Sequence, residues 1–228
     1  MSQVVHIVYS GVGGMAEVAF SLLECVKDRD KHHLLFYGFD ALEERYRERC
    51  DKIGIGYSYV AKGKGLDFKG ENEVYRSLKK LAPKTVVAHM TQTIFAYWRY
   101  RFAAPDARLL VIEHHSNALK SVRDWAYTFF NHLTASKSVY LSREYEAEVA
   151  KKLGIFFRKS ASAIIPNGVD TEAFSPAASK NEVPIIGMQA RMVEGKDYST
   201  LLHAWAKLKS PKAQLQLAGD GPNRAELE

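Results

Sequence analysis

Cysteine is scarce in this sequence, since Cys25 and Cys50 are the only two among 228 residues. Cys25 lies in a helical pattern and Cys50 in a charged helical segment, so no disulfide framework is expected. A chain of this kind is typical of a reducing compartment. The sequence therefore predicts a cytoplasmic protein.

Long apolar runs are missing as well. The apolar residues occur in short runs between charges, and none approaches the roughly 18 residues that a membrane-spanning helix needs. Residues 1–11 are largely apolar but lack the basic segment and the long apolar segment of a secretory signal. Because they lead directly into a glycine-rich turn, we interpret them as a first strand.

The charge of the chain is moderately positive, with a formal net charge of +6. Such a surplus suits nucleic acid, an anionic membrane surface or phosphorylated substrates, and charge alone does not choose among them. The hydrophobic share of 46% is that of an ordinary globular protein.

Strand and helix patterns alternate along most of the chain. Residues 4–9 are a β-branched run, residues 11–14 a glycine-rich turn, and residues 15–27 have apolar side chains at helical spacing. The alternation continues with predicted helices at residues 42–50 and 71–81 and a predicted strand at residues 138–142, and it reaches a strand at residues 162–165. Apolar strand centres separated by helices predict an α/β fold with a Rossmann-like, doubly wound parallel sheet.

A small, polar segment bounded by prolines interrupts this alternation at residues 175–184. Its composition is typical of a linker. We therefore predict an amino-terminal Rossmann-like domain over residues 1–175, a linker over residues 176–184, and the first β-α-β of an incomplete second Rossmann-like domain over residues 185–228. The predicted elements of this last part are strands at residues 185–189 and 214–218 and a helix at residues 198–209.

Three glycines, Gly11, Gly13 and Gly14, lie between the first strand and the first helix. Backbone amides at the start of a helix in such a turn bind phosphate. The spacing from Gly11 to Ala16 also fits the dinucleotide-binding fingerprint, and Asp40 follows where an acidic residue would contact a ribose. The alternative is a tight strand-to-helix turn that binds nothing.

A second loop of interest follows the strand at residues 185–189. It contains Arg191 and Lys196, and Asp197 can cap the next helix. Two cations at the carboxyl end of a strand, facing a helix amino-terminus, would clamp a diphosphate. Two solvated charges in a loop are the alternative.

Several segments together resemble the consecutive signatures of glycosyltransferase family 4. They are Ile164-Ile-Pro-Asn-Gly-Val-Asp170, Phe174 with Pro176, Arg191 with Lys196, and Leu217-Ala-Gly-Asp-Gly-Pro222 leading into Arg224 and Leu227. With the glycine-rich first turn, the similarity extends over essentially the whole chain. It implies a GT-B fold, in which an acceptor domain and a donor domain close around a cleft, here truncated within the donor domain.

The resemblance also implies the chemistry. Such enzymes move a sugar from a nucleotide-diphosphate donor to a glycan or lipid-linked acceptor with retained configuration, as in cell-surface polysaccharide or lipopolysaccharide synthesis. Arg191 and Lys196 would bind the diphosphate, and neither a cofactor nor a metal is expected. The remaining donor-side residues would be Gly13, Gly14, Gly187, Gly219, Gly221 and Pro222.

Histidines supply the acceptor-side candidates. His115 follows a strand where family members often place a histidine near the transferred sugar, which makes it a further catalytic candidate. His89, His114 and Asn117 are additional acceptor-side candidates. Hydrogen-bonded loop imidazoles are the alternative, and a metal pair is not expected because adjacent side chains on an extended segment point apart.

Two features depart from the family pattern. Asp197 stands where the family usually has glycine after the motif lysine. The family's two glutamates separated by seven residues have no counterpart up to Glu228, so we expect the chain as given to lack turnover.

Two other hypotheses are weighed against the transferase. An NAD(P)-dependent Rossmann oxidoreductase or epimerase would use the Gly11 fingerprint and Asp40, and a Tyr-x-x-x-Lys pair would support a short-chain member of that class. It leaves residues 166–170 and 191–196 unexplained. The other hypothesis is a non-catalytic binding module, including a nucleic-acid binder driven by the basic surplus, although no nucleic-acid partner is expected.

Basic and aromatic residues interleave at residues 97–102 and 156–159. Such patches suit peripheral contact with the inner leaflet of a membrane, which a lipid-linked acceptor would favour. The alternative is that the aromatic rings pack inward.

Overall fold

The computed structural model describes residues 3–176, 179, 182–208 and 212–228. The chain forms two compact units, Met1–Asp170 and Thr171–Glu228. This division lies a few residues before position 175, where the sequence predicts the end of the first domain. Within the predicted linker, residues 177, 178, 180 and 181 lie outside the described residues.

The first unit contains a seven-stranded parallel sheet with the order β3-β2-β1-β4-β5-β6-β7. Its strands are β1 (Val4–Val8), β2 (His32–Gly38), β3 (Gly56–Ala61), β4 (Thr85–Ala88), β5 (Arg108–Glu113), β6 (Lys137–Tyr140) and β7 (Ser162–Ile164). The direction of winding reverses between β1 and β4. Ligands of open parallel sheets bind at such a switch point, beyond the carboxyl ends of the strands.

Helices cover both faces of this sheet. They are α1 (Gly14–Cys25), α2 (Glu44–Ile53), α3 (Phe68–Leu81), α4 (Ile94–Ala103), α5 (Val122–Thr134) and α6 (Arg143–Leu153). Leu34 and Phe36 of β2 pack with residues of α1 and α2, whereas Leu35 and Tyr37 pack with residues of α3 and α4. Because successive strand side chains point to opposite faces, β2 is buried on both sides, which confirms the predicted doubly wound sheet.

Helix boundaries follow local capping more closely than the apolar pattern. Asp67 accepts a hydrogen bond from the Gly70 N–H and begins α3 three residues before the predicted start at Glu71. The Ser142 side chain accepts a hydrogen bond from the Tyr145 N–H and begins α6. Strand β6 therefore ends at Tyr140, two residues before its predicted end at Ser142. The caps satisfy amide groups that an uncapped helix leaves unpaired.

The second unit contains two parallel strands, β8 (Ile185–Gln189) and β9 (Gln214–Ala218), with helices α7 (Tyr198–Lys207) and α8 (Arg224–Leu227). Both strands have their predicted bounds. The predicted end of α7 at Lys209 lies outside the described residues. None of the helices in the described ranges combines the length and apolar character that a bilayer crossing requires.

Candidate active site

The turn after β1 holds Gly11 in place by internal packing. A Cβ at this position would overlap the carboxylate of Asp40 and approach the ring of Tyr9 to 2.6 Å. Asp40 is held there because the Tyr9 hydroxyl donates to its Oδ2 atom at 2.7 Å. The Ser10 hydroxyl donates to the Asp40 carbonyl oxygen at 2.6 Å. A larger residue at Gly11 would therefore force Asp40 and Tyr9 to move, so packing inside the turn favours glycine here.

Packing inside the turn does not explain why glycine occurs at positions 13 and 14. A Cβ at either position would have nothing within 4 Å. The φ angle of Gly13 is 173°, which is extended backbone open to any residue. No side chain caps the amino end of α1, which begins at Gly14. The Gly13 N–H donates to the Tyr46 hydroxyl at 3.4 Å, and no side chain accepts from the first amides of the helix itself. These amides can therefore donate to an anion that approaches the backbone.

In the second unit, Arg191 and Lys196 lie in the loop that connects β8 to α7. Both side chains are exposed, and neither forms a hydrogen bond or ion pair with another residue in the described ranges. Asp197 caps α7 as predicted, since its side chain accepts from the Thr200 N–H at 3.3 Å. Two unpaired cations thus precede a helix amino-terminus, which is the chemistry of an anion site.

Asp197 also explains the departure from the family pattern. Its backbone is left-handed, with φ 51° and ψ 44°. Glycine adopts this conformation freely, and aspartate is among the few other residues that tolerate it. Asp197 therefore has a backbone conformation that glycine adopts freely, and its side chain adds a cap.

The glycines that follow β9 are explained by close backbone packing inside the second unit. A Cβ at Gly219 would overlap the Ala190 carbonyl oxygen, and one at Gly221 would overlap the Met192 carbonyl oxygen. Pro222 is exposed beside them. At Gly187 a Cβ would meet only ordinary contacts, the nearest being 3.9 Å away. Gly219 and Gly221 thus let the loops after β8 and β9 approach each other closely. The donor-binding role of Gly187, Gly219, Gly221 and Pro222 stays a prediction.

Three of the predicted acceptor-side residues differ sharply in exposure. His115 is exposed, and its carbonyl oxygen accepts a hydrogen bond from the Tyr145 hydroxyl at 2.5 Å. His114 is half-buried. His89 is only 1% exposed, and its ring nitrogens lie 3.2 Å from those of His6 and His114. His89 therefore does not reach solvent directly, because both of its nitrogens face other imidazoles.

The loop that carries His114 and His115 is held by a buried ion pair. The Lys120 Nζ lies 2.8 Å from Glu113 Oε2, with the two side chains 3% and 2% exposed. Lys120 also donates to the Thr128 hydroxyl at 2.8 Å. Since Glu113 and Lys120 bracket the loop, they define where its histidines lie.

Asn117, the remaining acceptor-side candidate, is tied to α6. Its Nδ2 donates to Glu148 Oε2 at 2.9 Å and to the Tyr145 carbonyl oxygen at 3.4 Å. Both amide protons are thus used within the fold. Its predicted acceptor contact stays a prediction.

A pocket that the sequence analysis missed opens at the carboxyl ends of β2, β3 and β4. Its volume is about 230 Å³, and it is lined by Tyr37, Phe39, Lys62, Gly65, Leu66, Asp67, Glu71, Gln92, Arg123 and Tyr127. Aromatic rings beside fixed carboxylates and cations suit a ligand rich in hydroxyl groups. The lining comes from separate segments, so no local motif in the sequence identifies it.

The two carboxylates of this pocket are held in different environments. Burial raises the pKa of Glu71 to about 7, although the N–H groups of Ala96 and Phe95 favour its ionised form. Burial would also raise the pKa of Asp67, but hydrogen bonds from the N–H groups of Gly70 and Gly63 lower it overall. The pocket thus pairs an ionised acceptor with a carboxyl that titrates near neutral pH.

The two aromatic and basic segments are partly buried. Tyr97 and Tyr100 of α4 belong to the core, as inward packing predicts. Phe102 and Phe156 are instead 87% and 51% exposed. The segments therefore divide between core packing and surface.

The sequence model described as Glycosyltransferase Family 4 matches residues 12–173, which is more than half of the chain. The chain belongs to glycosyltransferase family 4. The match includes Gly13, Gly14 and the loop that carries His114 and His115, which we call the histidine loop. It decides against the oxidoreductase hypothesis.

A Tyr-x-x-x-Lys spacing does occur in this family 4 chain, at Tyr75 and Lys79 of α3. Tyr75 packs against the core, and the Arg99 guanidinium lies over its ring at 4.1 Å. This tyrosine is therefore a packing residue of the helix layer.

Solved structures share the fold of this family 4 chain. Anabaena HepE, in complex with UDP and glucose, has a TM-score of 0.78 at 14% identity over 100% of this chain and 64% of its own. A Rickettsia africae glycosyltransferase has a TM-score of 0.68 at 18% identity over 99% of this chain and 62% of its own. The lipopolysaccharide outer core galactosyltransferase WaaB has a TM-score of 0.67 at 16% identity over 98% and 62%.

These likenesses show the GT-B fold. The family 4 chain spans less than two thirds of the length of these three proteins, with 64% as the largest share. No curated protein sequence matches it significantly.

Proposed function

We propose that the chain supplies the acceptor-side domain and the first part of the donor-side domain of a cytoplasmic, retaining glycosyltransferase. This enzyme moves a sugar from a nucleotide-diphosphate donor to a glycan or lipid-linked acceptor. The observation that carries the proposal is the family match over residues 12–173, which places an open, glycine-lined helix start inside a glycosyltransferase domain.

The leaving diphosphate is the centre of the proposed mechanism. As the bond to the sugar breaks, negative charge develops on the diphosphate, and preorganised cations stabilise it without reorganisation. Arg191 and Lys196 supply these cations. The amides at the start of α1 are a separate part of the proposal, as phosphate-binding donors of the first unit. The leaving phosphate accepts the proton of the acceptor hydroxyl on the same face, so the proposal includes no dedicated base and no metal.

The pocket between Phe39 and Tyr127 is the proposed place for the acceptor. Its rings cover the apolar faces of a sugar, while Asp67 and Arg123 bond to hydroxyl groups. His115 lies on an adjacent loop and faces the transferred sugar in this proposal. A lipid-linked acceptor would bring the exposed Phe102 and Phe156 to a membrane surface.

Binding of UDP to the purified chain tests the donor assignment. UDP is chosen because it is the nucleotide in the HepE complex. Replacing either cation, by Arg191→Gln or Lys196→Gln, is expected to weaken UDP binding about 10-fold or more, because a hydrogen bond to a charged group is worth roughly 1.5–3 kcal/mol. Isothermal titration calorimetry measures this difference.

Lys207→Gln is the matched control for these variants. Lys207 is an exposed cation at the opposite end of α7, so its loss should leave UDP affinity unchanged. Equal affinities for wild type, Arg191→Gln and Lys207→Gln would contradict the assignment. Tight binding of NAD without any response to UDP would likewise contradict the assignment.

The glycine turn gives a separate prediction. Gly14→Val should leave the free energy of unfolding within about 0.5 kcal/mol, because nothing lies within 4 Å of the new Cβ. The same side chain should lower UDP affinity about 10-fold by blocking one phosphate contact. Gly11→Ala provides the contrast, since its Cβ overlaps Asp40 and should lower stability. An unchanged UDP affinity in Gly14→Val would remove α1 from the donor site.

A further inference from the structure

Four histidines from four separate segments form a continuous row through the first unit. His6 Nε2 lies 3.1 Å from His32 Nδ1, and His6 Nδ1 lies 3.2 Å from His89 Nε2. His89 Nδ1 in turn lies 3.2 Å from His114 Nε2. The ring centroids are 5.4–5.5 Å apart along the whole row. We call these residues the histidine row.

The row runs from the amino ends of the strands to their carboxyl ends. His32 begins β2, His6 lies within β1, and His89 and His114 follow the carboxyl ends of β4 and β5. His6 and His89 are 5% and 1% exposed, whereas both end members are half-buried. A path of imidazoles therefore joins the carboxyl ends of the strands, where the candidate active site lies, to their amino ends.

Hydrogen-bond arithmetic allows a neutral row only two arrangements. A neutral imidazole has one N–H donor and one acceptor nitrogen. If His114 donates from Nε2, then His89 and His6 must also donate from Nε2. If His32 donates from Nδ1, every following member must carry its proton on Nδ1. A mixed row would place two protons, or none, between one pair of nitrogens.

We propose that the histidine row is a proton relay. It sets whether His114 Nδ1, at the carboxyl end of β5, accepts or donates a proton. In the all-Nε2–H arrangement, a proton that arrives at His114 Nδ1 displaces the Nε2 proton to His89. His89 and His6 pass on their own Nε2 protons in the same way, and His32 releases its Nε2 proton to water. Four N–H bonds form and four break, and the row ends in the all-Nδ1–H arrangement.

Burial keeps the inner members neutral before and after the transfer, so the four protons shift together and no charge rests on His6 or His89. Burial and the neighbouring His32 lower the pKa of His6 to about 3, and burial lowers the pKa of His89 well below its usual value. A row whose inner members do not store charge transmits a change made at one end. This inference concerns the chain's own hydrogen bonds and stands whether or not the proposed transferase activity is found.

The groups that act on the two ends are few. Asp28 and Asp30 favour the charged form of His32, although burial lowers its pKa overall. Burial and then His115 lower the pKa of His114, to about 4. Protonation of His32 leaves it with only donor nitrogens, so it must donate from Nδ1 and select the all-Nδ1–H arrangement.

Imidazole nitrogen NMR of the histidine-labelled chain tests the relay. His6, His89 and His114 are expected to carry the same tautomer at every pH at which they are neutral. As His32 gains its proton, all three should move to the Nδ1–H form with the titration midpoint of His32. A tautomer of His114 that differs from that of His6, or that ignores His32, overturns the proposal.

Variants separate the relay from ordinary packing. His32→Gln should abolish the pH step at His114, whereas His33→Gln should retain it. His33 is the matched control because it adjoins His32 but bonds to Ser58 at 3.0 Å, outside the row. His115→Gln should also retain the step. A step that persists in His32→Gln, or that disappears only in His115→Gln, refutes the relay.

Discussion

Replacing Lys120 with methionine is expected to lower the free energy of unfolding of the first unit by roughly 3–5 kcal/mol. Methionine fills much of the lysine volume but leaves the Glu113 carboxylate buried without its cation. The Tyr145 hydroxyl, 3.1 Å from Glu113 Oε2, is then the nearest remaining donor. Urea unfolding followed by tryptophan fluorescence measures the loss, since Trp125 lies beside Lys120.

Two further variants identify the cause. Arg47→Met removes a cation from an exposed pair with Glu44, and should change stability by less than about 1 kcal/mol. Adding Glu113→Leu to Lys120→Met should restore much of the loss, because no buried charge then remains. If Lys120→Met costs no more than Arg47→Met, the buried pair does not stabilise the histidine loop.

Acid is expected to destabilise the first unit steeply. Burial lowers the pKa values of four histidines of the first unit, His6, His89, His114 and His132. These groups therefore bind protons in the unfolded chain before they do so in the folded one. Stability is therefore complete above the unfolded pKa of about 6.5 and falls as the pH drops toward the folded values. Each such group contributes about 1.4 kcal/mol per pH unit in this window.

Glu71 changes the free energy of unfolding in the opposite direction as the pH falls. Its pKa of about 7 in the folded chain exceeds the unfolded value, so its contribution grows as the pH falls from 7 toward 4.5. One of the four histidine contributions is thereby cancelled. The three that remain give a net expected loss of about 4 kcal/mol per pH unit between pH 6 and pH 4.5.

Urea unfolding at a series of pH values measures this slope. His6→Phe should reduce it by about 1.4 kcal/mol per pH unit, because one group no longer titrates. His203→Gln is the control, since His203 is exposed and lies in the second unit. Constant stability from pH 7 to pH 4.5 would show that the histidine row is protonated in the folded chain.

Local pattern predicted most of the architecture. Every predicted strand exists, and the glycine turn lies between β1 and α1 as expected. The errors are at element ends, where caps such as Asp67 and Ser142 decide the boundary. Gly54, with φ 73°, likewise ends α2 three residues beyond its predicted end at Cys50. Caps depend on single side chains, which apolar periodicity does not register.

The candidate site was predicted less completely. Arg191, Lys196 and the glycines could be named from short motifs, because each motif is contiguous in the chain. The pocket around Asp67 and Glu71 could not, since its lining comes from strand ends and helices far apart in sequence. His89 was predicted as an acceptor-side candidate, and the structure shows that both of its ring nitrogens face other members of the histidine row.

By itself the sequence determined the alternation of strands and helices, the family and the cationic loop after β8, because spacing and composition along the chain encode these features. Only the tertiary structure decided which side chains meet across strands. His6, His32, His89 and His114 are separated by 25 or more residues at every contact. They become neighbours because parallel strands align residues of distant segments, and this alignment depends on the order of strands in the sheet.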